Sequence, residues 1–600
     1  MPAPLPSSQE HRDALERSLR WFKLADEMRR PRETKWREIY KLYRSYAEPR
    51  NDGRANVFIP ESFTLIETVV PRVIDALFGS FPYVSLLPVG PEDVGPASKH
   101  ESLVNFQLDE RLRVVEKFVS FVKEALTYGT AVGMVPWRIE RRLIKGWGAG
   151  VKLLLGIIPV PTRVPKQAYE TTYDDPDFVH PDLLDFWIDP FAEDIEHARF
   201  VIVRTWLDFD YLKRKEAEGL YGNIDELKNG GSRDSGERGA TLHLSDVGMA
   251  GGQPEDSRDK PIEVLSIWEN DRLTVVADQR VVISEGENPF WDGRKPLLSV
   301  VDHKVPHEFY GIGELEPNLG LQYELNTMRN QRLNFLNVAL DLMWLLNRNA
   351  DIDEAELVSR PNGVIHVDSF EDLKQLEVNK DLAPAFAEER SIRESIQSTS
   401  GVFDYSRGAT PNRGETATTV VSLQQAAEMR FKLKTRLFEY SGLRDLVRFM
   451  VARNLQFMDH ARAVRILGPD GVQFLDLRPE DIGGNFDYRP AGSSVEPLAN
   501  RQIAQQNWRD LYDRFKDDPD IDRIKLKRKV FETMGVKDAD GFFVQRNPIE
   551  ALMAAMGGKG GVAPGQPATA RPTPIGPPVG GVNQTPGVVY PPNTHQPKAQ

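Results

Sequence analysis

The sequence contains no cysteine, which excludes disulfide bonds, thiol chemistry and thiolate metal sites. It also lacks any apolar run near the roughly 18 residues that a membrane-spanning helix needs. The longest candidate, VKLLLGIIPVP at 151–161, is short and contains a lysine and prolines. The amino-terminal residues have no apolar core typical of a signal peptide. We therefore expect a protein that assembles in a reducing cytoplasm and has no membrane partner.

Basic side chains are not in excess either. The 76 Lys and Arg residues are outnumbered by 89 Asp and Glu residues, which gives a net charge of −13. A protein that grips DNA through its phosphates is usually basic over at least one surface. If DNA is a partner, this balance favours a surface that lets DNA pass over one that holds it. The length of 600 residues predicts several domains.

The usual signatures of nucleotide and zinc chemistry are missing as well. No GxxxxGK[ST] phosphate loop occurs, and Gly129 and Gly133 have the wrong spacing for GxGxxG. His303 and His307 lie four residues apart, but Pro306 stands between them and HEFYG is not the HExxH of zinc proteases. We therefore expect no cofactor and no zinc site.

One cluster of carboxylates keeps a catalytic alternative open. A metal-dependent nuclease would use clustered aspartates, whereas turns and helix caps also explain aspartates between prolines. The cluster has no ordered Asp-x-Asp pair and no general base at a useful spacing, so we favour the structural interpretation. Its members are Asp174, Asp175, Asp177, Asp182, Asp185 and Asp189.

The most informative stretch runs from Phe309 to Met458. Apolar and polar residues recur at steps of three or four from about Leu321 to about Leu346, which predicts a long helix. The polar face carries mostly amides rather than Glu and Lys, so we expect it to face a similar neighbour or a wet channel. An ordinary surface helix is the alternative. The polar stripe includes Gln322, Asn326, Arg329, Asn330, Asn334 and Asn337.

A short block with strand-like runs, at 363–367 and 376–378, follows this helix. A second helical pattern covers about 384–399, and the glycine-rich loop GVFDYSRGATPNRGE covers 401–415. A very long helical pattern then runs from about Thr416 to Met458. It is interrupted only by Gly442, which is therefore the predicted kink site.

This order of elements resembles the portal protein, or head-to-tail connector, of tailed bacteriophages, in the larger form found in short-tailed phages. The phrases that carry the resemblance are FYGIGELEPNLGLQYELNTMRNQRLNFLNVAL at 309–340 and ADIDEAELVSRPNGVIHV at 350–367. Two others support it, ALTYGTAVGMVPWR at 125–138 and DFWIDPFAEDIEHARFVIVR at 185–204. The resemblance implies a helix-rich α+β protein with the portal fold.

The resemblance also implies a division of the chain into named parts. Composition adds that the glycine- and proline-rich tail is disordered and that 228–260 is a mobile loop. The expected parts are a wing at 1–308, a first stem helix at 309–346, a clip at 347–382, a second stem helix at 383–400, a tunnel loop at 401–415, a long kinked helix at 416–460, a wing return hairpin at 461–490, a helical crown at 491–556 and the tail at 557–600.

The function implied by the resemblance is structural, and we predict no catalysis. Portal proteins form a ring, usually a dodecamer, at one capsid vertex of the virion. The expected partners are other copies of the chain, double-stranded DNA without sequence preference, the terminase large subunit, head–tail adaptor and tail proteins, and the major capsid and scaffolding proteins. The stem stripe would line the channel or contact a neighbouring subunit.

Two further groups of residues are expected to meet partners. We hypothesise that Arg407 and Arg413 of the tunnel loop make transient, salt-sensitive contacts with DNA phosphates, with Asp404 on the same loop. The clip would meet terminase or an adaptor through Asp353, Glu354, Arg360 and Asn362. Two other interpretations remain, a metal-dependent nuclease or hydrolase of a mobile element and a non-portal assembly protein such as a scaffold or tail adaptor.

Overall fold

The structure is a computed structural model. It describes residues 8–154, 158–227, 239–249, 260–340, 343–348, 382–402, 429–468, 471–484, 486–490, 498–515 and 523–533, with single positions and short runs between 352 and 375. Contact clustering divides the chain into one unit at Met1–Gln506 and a second at Asn507–Gln600.

Helices dominate the amino-terminal part of the first unit. Apolar residues at helical spacing bury one face of each helix, and Ile66, Val69 and Val73 of the second helix are fully buried. A π-helical turn at Gln107–Arg111 ends the third helix. The elements are α1 at Ser8–Tyr43, α2 at Glu61–Phe78, β1 at Val84–Pro88, α3 at Val94–Phe106 and α4 at Val114–Tyr128.

Three strands follow directly after α4. β2 at Thr130–Met134 will pair with a strand much later in the sequence, whereas β3 at Trp137–Leu154 and β4 at Ile158–Pro176 pair with each other. The apolar run at 151–161, discussed above as a poor membrane candidate, therefore belongs to this hairpin. None of the described helices is long and apolar enough to cross a bilayer.

A five-stranded antiparallel sheet forms the middle of the unit, in sequence order from edge to edge. Its last three strands have the alternating apolar residues that are typical of an antiparallel meander. The elements are β5 at Phe186–Ile188, β6 at Val201–Leu207, α5 at Phe209–Ala217, α6 at Gly239–Asp246, β7 at Ile262–Trp268, β8 at Arg272–Ala277 and β9 at Val281–Glu287. β10 at Leu297–Val301 then pairs with β2.

Helix α6 corrects the prediction of a mobile loop over the whole of 228–260. Residues 239–246 are helical, and Arg37 of α1 pairs with Asp246 at 2.6 Å. His243 stacks near Tyr40 and Tyr128. The helix has few apolar residues and is flanked by glycines and serines, so the whole segment has the composition of a loop.

The predicted stem region contains α7 at Leu319–Leu340 and α8 at Ala383–Ser400. The prediction that the first helix continues to Leu346 is wrong, because Trp344–Leu346 forms strand β11, which pairs with β12 at Leu373–Gln375. The strand predicted at 363–367 is also absent from its described residues, 364–367. At Trp344–Leu346 a pairing partner about 30 residues away overrides the local helical pattern.

The long helix is described from residue 429 onward. α9 at 429–438 leads into a π-helical turn at Glu439–Leu443, and α10 at Arg444–Phe457 follows. β13 at Arg462–Gly468 and β14 at Gly471–Leu477 form the predicted hairpin, and β15 at Phe486–Pro490 pairs with β1. Helices predicted between 497 and 556 are present as α11 at Leu498–Phe515 and α12 at Arg523–Thr533.

One large apolar cluster holds the first unit together. Its centre contains Phe118 and Phe121 of α4, Val300 of β10 and Met450 of α10, all with no exposed surface. Because α4 and β10 come from distant parts of the sequence, this cluster fixes the long helix against the amino-terminal helices. The α+β class predicted from the sequence is confirmed.

Candidate functional site

The amides of α7 form a regular array, which we call the amide ladder: Gln322, Asn326, Asn330 and Asn334. They are spaced four residues apart and lie against residues 55–60, an extended segment that we call the strap. Each amide bonds to the backbone of the strap, and Gln322 also bonds to Ser62 just beyond it, so a helix face pairs with an extended chain much as a β-strand would.

The bonds of the ladder are short and run in order. The N–H of Ala55 donates to Asn334 Oδ1 at 2.6 Å, and the N–H of Val57 donates to Asn330 Oδ1 at 2.7 Å. Asn330 Nδ2 also donates to the carbonyl of Val57 at 3.0 Å. The register is therefore antiparallel, with strap residues rising by two as ladder residues fall by four.

The buried end of the ladder is more highly connected. The N–H of Ile59 donates to Asn326 Oδ1 at 2.9 Å, and Gln322 Nε2 donates to the carbonyl of Ile59 at 2.8 Å. The N–H and hydroxyl of Ser62 donate to Gln322 Oε1 at 3.2 and 3.0 Å. The side chain of Ile59 packs with Leu325 between α7 and α8. The strap is thus held by both polar and apolar contacts.

The spacing of the two elements explains why amides serve here. Four helical residues rise about 6.0 Å, and two extended residues rise about 6.6 Å. An amide side chain both donates and accepts, so it can satisfy a backbone N–H and C=O together. A carboxylate or lysine would satisfy only one of the two, which accounts for a polar stripe poor in charge.

The two remaining residues of the stripe lie elsewhere. Arg329 donates through Nε to Glu389 of α8 at 3.3 Å, and Arg332 lies 2.5 Å from the same carboxylate. Asn337 is exposed. The assignment of all six residues to the channel or to a subunit contact stays a prediction, but five of them already have a partner within the chain.

Glu389 is the electrostatic link between the two predicted stem helices. Arg393 of α8 also donates to it, at 3.2 Å. Burial alone would raise the pKa of Glu389, but the hydrogen bond and charge of Arg329, with the charges of the other two arginines, hold that pKa below its ordinary value. The carboxylate therefore stays ionised, and α7 and α8 are tied together at neutral pH.

A buried ionic cluster joins the long helix to the start of the stem. We call Asp302, Glu314 and Lys434 the junction. Lys434 Nζ lies 2.6 Å from Asp302 Oδ1 and also contacts Glu314, and all three side chains are at most 7% exposed. His303 Nε2 lies 3.8 Å from Asp302 and 3.9 Å from Glu314 at the edge of the cluster.

The pKa shifts within the junction follow from burial and pairing. Burial raises the pKa of Asp302 to about 6, even though Lys434 opposes that shift. Burial acts against the charge of Lys434 too, but the two carboxylates outweigh it and raise the lysine pKa. A buried lysine already occupies the space between these carboxylates, so the junction is an ionic connection rather than a cation site.

Glycines from two of the most informative phrases pack against each other beside the junction. Gly313 lies so close to α4 that a Cβ atom there would be 2.4 Å from the carbonyl oxygen of Thr127. Gly129 has φ of +93°, and a Cβ on it would be 2.4 Å from the carbonyl oxygen of Gly311. The N–H of Glu314 donates to the carbonyl of Leu126 at 2.8 Å. These glycines serve close backbone packing and not phosphate binding.

Gly442, the predicted kink site, lies inside the π-helical turn. A Cβ there would be 3.0 Å from Val300 of β10 and 3.8 Å from Phe118 of α4. The helix changes its hydrogen bonding at this glycine, as a π-turn commonly does where a helix bends. The kink itself stays a prediction.

The aspartate cluster behind the nuclease alternative is engaged structurally. Each member has a lysine, arginine or histidine side chain as a partner within the chain. Asp174 also lies in a group with Asp459 and His460 whose ligand atoms are within 4.8 Å of one another, but it already accepts a bond from Trp137 at 2.9 Å. The pairs are Asp174 and Asp175 with Arg462, Asp177 with Lys117 and Arg138, Asp182 with His243, Asp185 with Arg204, and Asp189 with Arg199.

The predicted tunnel-loop and clip residues lie outside the described residues. Those are Asp404, Arg407, Arg413, Asp353, Glu354, Arg360 and Asn362. The site that the structure does describe is the region around α7, where the strap, α8, α9 and the glycine contacts meet. It positions helices, and sequence reasoning found its polar stripe and its glycines but not the partner of either.

A family model described as "Phage SU10 portal protein" matches residues 24–144 and 170–575. The chain belongs to this portal protein family. The match includes α7, the ladder, the strap, the junction and the packed glycines. No curated protein matches the chain.

Membership assigns the chain the function of a phage portal protein. Portal proteins assemble as a ring at one capsid vertex, through which DNA is packaged and ejected and to which terminase and the tail attach. They are generally structural components of the virion and not enzymes.

The ladder yields a prediction for local stability. Gln322→Leu leaves the N–H and the hydroxyl of Ser62 without their acceptor and removes one of the two hydrogen bonds to the carbonyl of Ile59, which costs about 2 kcal/mol. We expect peptides covering 55–62 to exchange their amide hydrogens about 30-fold faster in this portal protein variant. Mass spectrometry of hydrogen exchange measures the effect. Asn337→Ala, on the exposed side of the same helix, is the control, and unchanged protection in Gln322→Leu would contradict the ladder.

Proposed function

We propose that twelve copies of this chain form the portal ring through contacts along the long helix. The observation that carries this proposal is an exposed apolar stripe on α9 and the π-turn. Met429 is 73% exposed, Leu433 65%, Leu437 37% and Tyr440 58%. Their spacing of four, four and three residues puts them on one helix face. A row of this kind on a single chain marks a protein interface.

A ring provides a partner for this stripe without any other protein. Identical subunits that meet through two different surfaces form a closed ring when the rotation between them permits. The stripe is one such surface. A cavity of about 620 Å³ beside it, lined in part by Leu437, Phe309 and Phe449, offers apolar side chains on the same side of the helix.

The finer division of the chain is part of the same proposal. Because β11 pairs with β12, residues 344–346 join the clip, so 309–343 and 383–400 serve as the stem, 344–382 as the clip and 401–415 as the tunnel loop. The pairing of α7 with α8 through Glu389 and the short β11–β12 pairing between them support this division. The remaining parts are a wing at 1–308 and 461–490, the long helix at 416–460, a crown at 491–556 and the tail at 557–600.

The contacts with other molecules follow from this arrangement. The terminase large subunit and the adaptor bind at the clip, and the capsid and scaffolding proteins bind elsewhere on the ring. Arg407 and Arg413 touch passing DNA through its phosphates, which makes those contacts independent of sequence and sensitive to salt. The acidic balance of the chain keeps other contacts with DNA weak. Assembly takes place in the host cytoplasm, and no catalytic step is required of the chain.

Replacing the centre of the stripe tests the ring. Leu433→Glu puts a charge in the middle of the proposed contact, where it would be buried without a partner. We expect native mass spectrometry to show twelve-subunit rings for the unmodified chain. In the variant, we expect the ring fraction to fall by about tenfold or more.

The matched control is Lys432→Glu. Lys432 directly precedes Leu433, but its side chain is exposed and lies off the stripe. Because both replaced side chains are exposed, the melting temperature of the isolated subunit should not change in either variant. Rings of undiminished abundance in Leu433→Glu would contradict the assignment of the stripe to the subunit contact.

A further inference from the structure

The β3–β4 hairpin projects as a two-stranded ribbon, which we call the arm. β3 has 18 residues, which extend to about 60 Å. Leu143 and Ile144 are neighbours in β3, so they face opposite sides of the ribbon, and they are 45% and 42% exposed. Tyr169, opposite Leu143 in β4, is 76% exposed. Near these three residues, both faces of the arm are therefore exposed to solvent in the single chain.

A two-stranded ribbon of this length is not stable by itself. Isolated hairpins are marginally stable in water, and they need a third strand or another packed surface. The outer part of the arm also differs from what the family shares, because the matched segments stop at 144 and resume at 170. We call 145–169 the distal arm. A contact made there belongs to this chain and not to the family as a whole.

The two edges of the arm are unequal. Pro159, Pro161 and Pro165 are all odd-numbered residues of β4, so their nitrogen atoms point to the same side. Proline cannot donate to a neighbouring strand, and it occurs in sheets where its nitrogen faces away from the partner. The outer edge of β4 is therefore poor in donors.

The outer edge of β3 is open. β3 contains no proline, and none of the described strands other than β4 pairs with it. Ala149 pairs with Arg163 and Val151 pairs with Pro161. Because Pro161 cannot donate, these are non-hydrogen-bonded pairs, and the backbone N–H and C=O groups of Ala149 and Val151 point away from β4. The arm thus blocks pairing on one edge and permits it on the other.

Charge identifies the partner. The arm, residues 137–176, contains seven basic and four acidic side chains, a net charge of +3, within a chain of net charge −13. The other residues of the chain carry a net charge of −16. A basic arm is attracted to a surface of the opposite sign, and another copy of this chain supplies such a surface in a ring.

Composition argues against the two other partners that a basic, apolar hairpin suggests. The tip of the hairpin, residues 151–161, contains a single charged side chain, Lys152, so the tip offers little to DNA phosphates. A lipid bilayer would leave the open backbone edge of β3 without hydrogen bonds, which hydrocarbon does not tolerate. A protein surface can both cover the apolar side chains of the arm and form hydrogen bonds with the open backbone edge of β3.

We propose that the arm of each subunit docks on the adjacent copy of this chain, where the outer edge of β3 pairs with the neighbour's backbone. This inference rests on the proposed ring and adds a second contact to it, separate from the stripe on α9. The arm acts as a clasp between subunits that other family members need not share.

Prolines on the open edge provide the test. Ala149→Pro with Val151→Pro removes two outward donors and copies the pattern that β4 already tolerates, so the hairpin itself keeps its hydrogen bonds. Ala149→Thr with Val151→Thr keeps both donors and is the matched control. We expect the proline variant to raise the subunit concentration for half-assembly on the order of tenfold, the effect of losing two net hydrogen bonds. The threonine variant should assemble like the unmodified chain.

A truncation tests the whole distal arm. Replacing residues 147–165 with Asn-Gly closes the hairpin at the pair Gly146 and Lys166, whose backbone groups face each other as a two-residue turn requires. We expect the same weakening of the ring or a larger one, with the circular dichroism of the subunit otherwise retained.

The remaining outcomes are decisive as well. If the proline variant and the truncated variant both assemble at the same subunit concentration as the unmodified chain, the inference is wrong, whether or not DNA binding is lost. A loss of DNA binding alone would assign the arm to DNA instead. If the unmodified chain forms no rings at any concentration, the proposed ring fails, and this inference fails with it.

Discussion

Lys434→Met should destabilise the chain by about 3–5 kcal/mol, because it leaves two buried carboxylates without their cation. Asp302 and Glu314 would then face each other at low exposure with only His303 beside them. We expect the melting temperature measured by scanning fluorimetry to fall by about 3–5 °C at pH 8, because the unfolding entropy of a unit of this size is large.

The same variant should depend on pH with a definite sign. Without the lysine, the pKa values of both carboxyls rise above their unfolded values, so the folded chain binds protons more tightly between about pH 4 and the raised values. Stability then falls as the pH rises, and the deficit should be smaller at pH 5 than at pH 8. Combining Lys434→Met with Asp302→Asn and Glu314→Gln should recover much of the loss. A deficit that is equal at both pH values would contradict the ionic account of the junction.

Gly313→Ala should cost about 3 kcal/mol, the upper part of the usual range for overpacking. The added methyl would lie 2.4 Å from the carbonyl oxygen of Thr127 and 2.8 Å from the backbone nitrogen of Gly129. Backbone atoms of a buried turn cannot move aside as a flexible side chain can. We expect little folded protein at 37 °C, measured as the soluble fraction and as resistance to proteolysis.

Gly320→Ala is the matched control, since it lies in the same phrase and a Cβ there would meet nothing within 4 Å. Gly320 lies in the first turn of α7. Because alanine favours a helix more than glycine does, the replacement should stabilise α7 by about 0.5–1 kcal/mol. Equal behaviour of the two alanine variants would show that close packing is not what Gly313 provides.

Much of the fold was accessible from periodicity. The meander β7–β9 and the hairpin β13–β14 follow from short alternating runs between turn residues. The helical pattern of α7 and the interruption at Gly442 were also visible, because each depends on residues a few positions apart. These are local features, and local sequence carries the information that specifies them.

The site was less accessible because its partners are remote in sequence. The polar stripe of α7 indicated an unusual face, but its partner is the strap, 263–279 residues earlier. Nothing near Lys434 in the sequence indicates its role, because Asp302 and Glu314 lie 120 or more residues away. The distal arm was missed for a different reason, since its glycines and prolines are typical of loops.

The ladder has a mechanical consequence. Four residues turn an α-helix by about 400°, so each rung lies about 40° further around the axis than the one before it. Over three steps the strap winds about 120° around α7, a third of its circumference. A pull along the helix axis therefore loads all four rungs in shear at the same time, whereas a sideways pull peels them one after another. Shear is the stronger direction, and it lies along the axis of α7 itself.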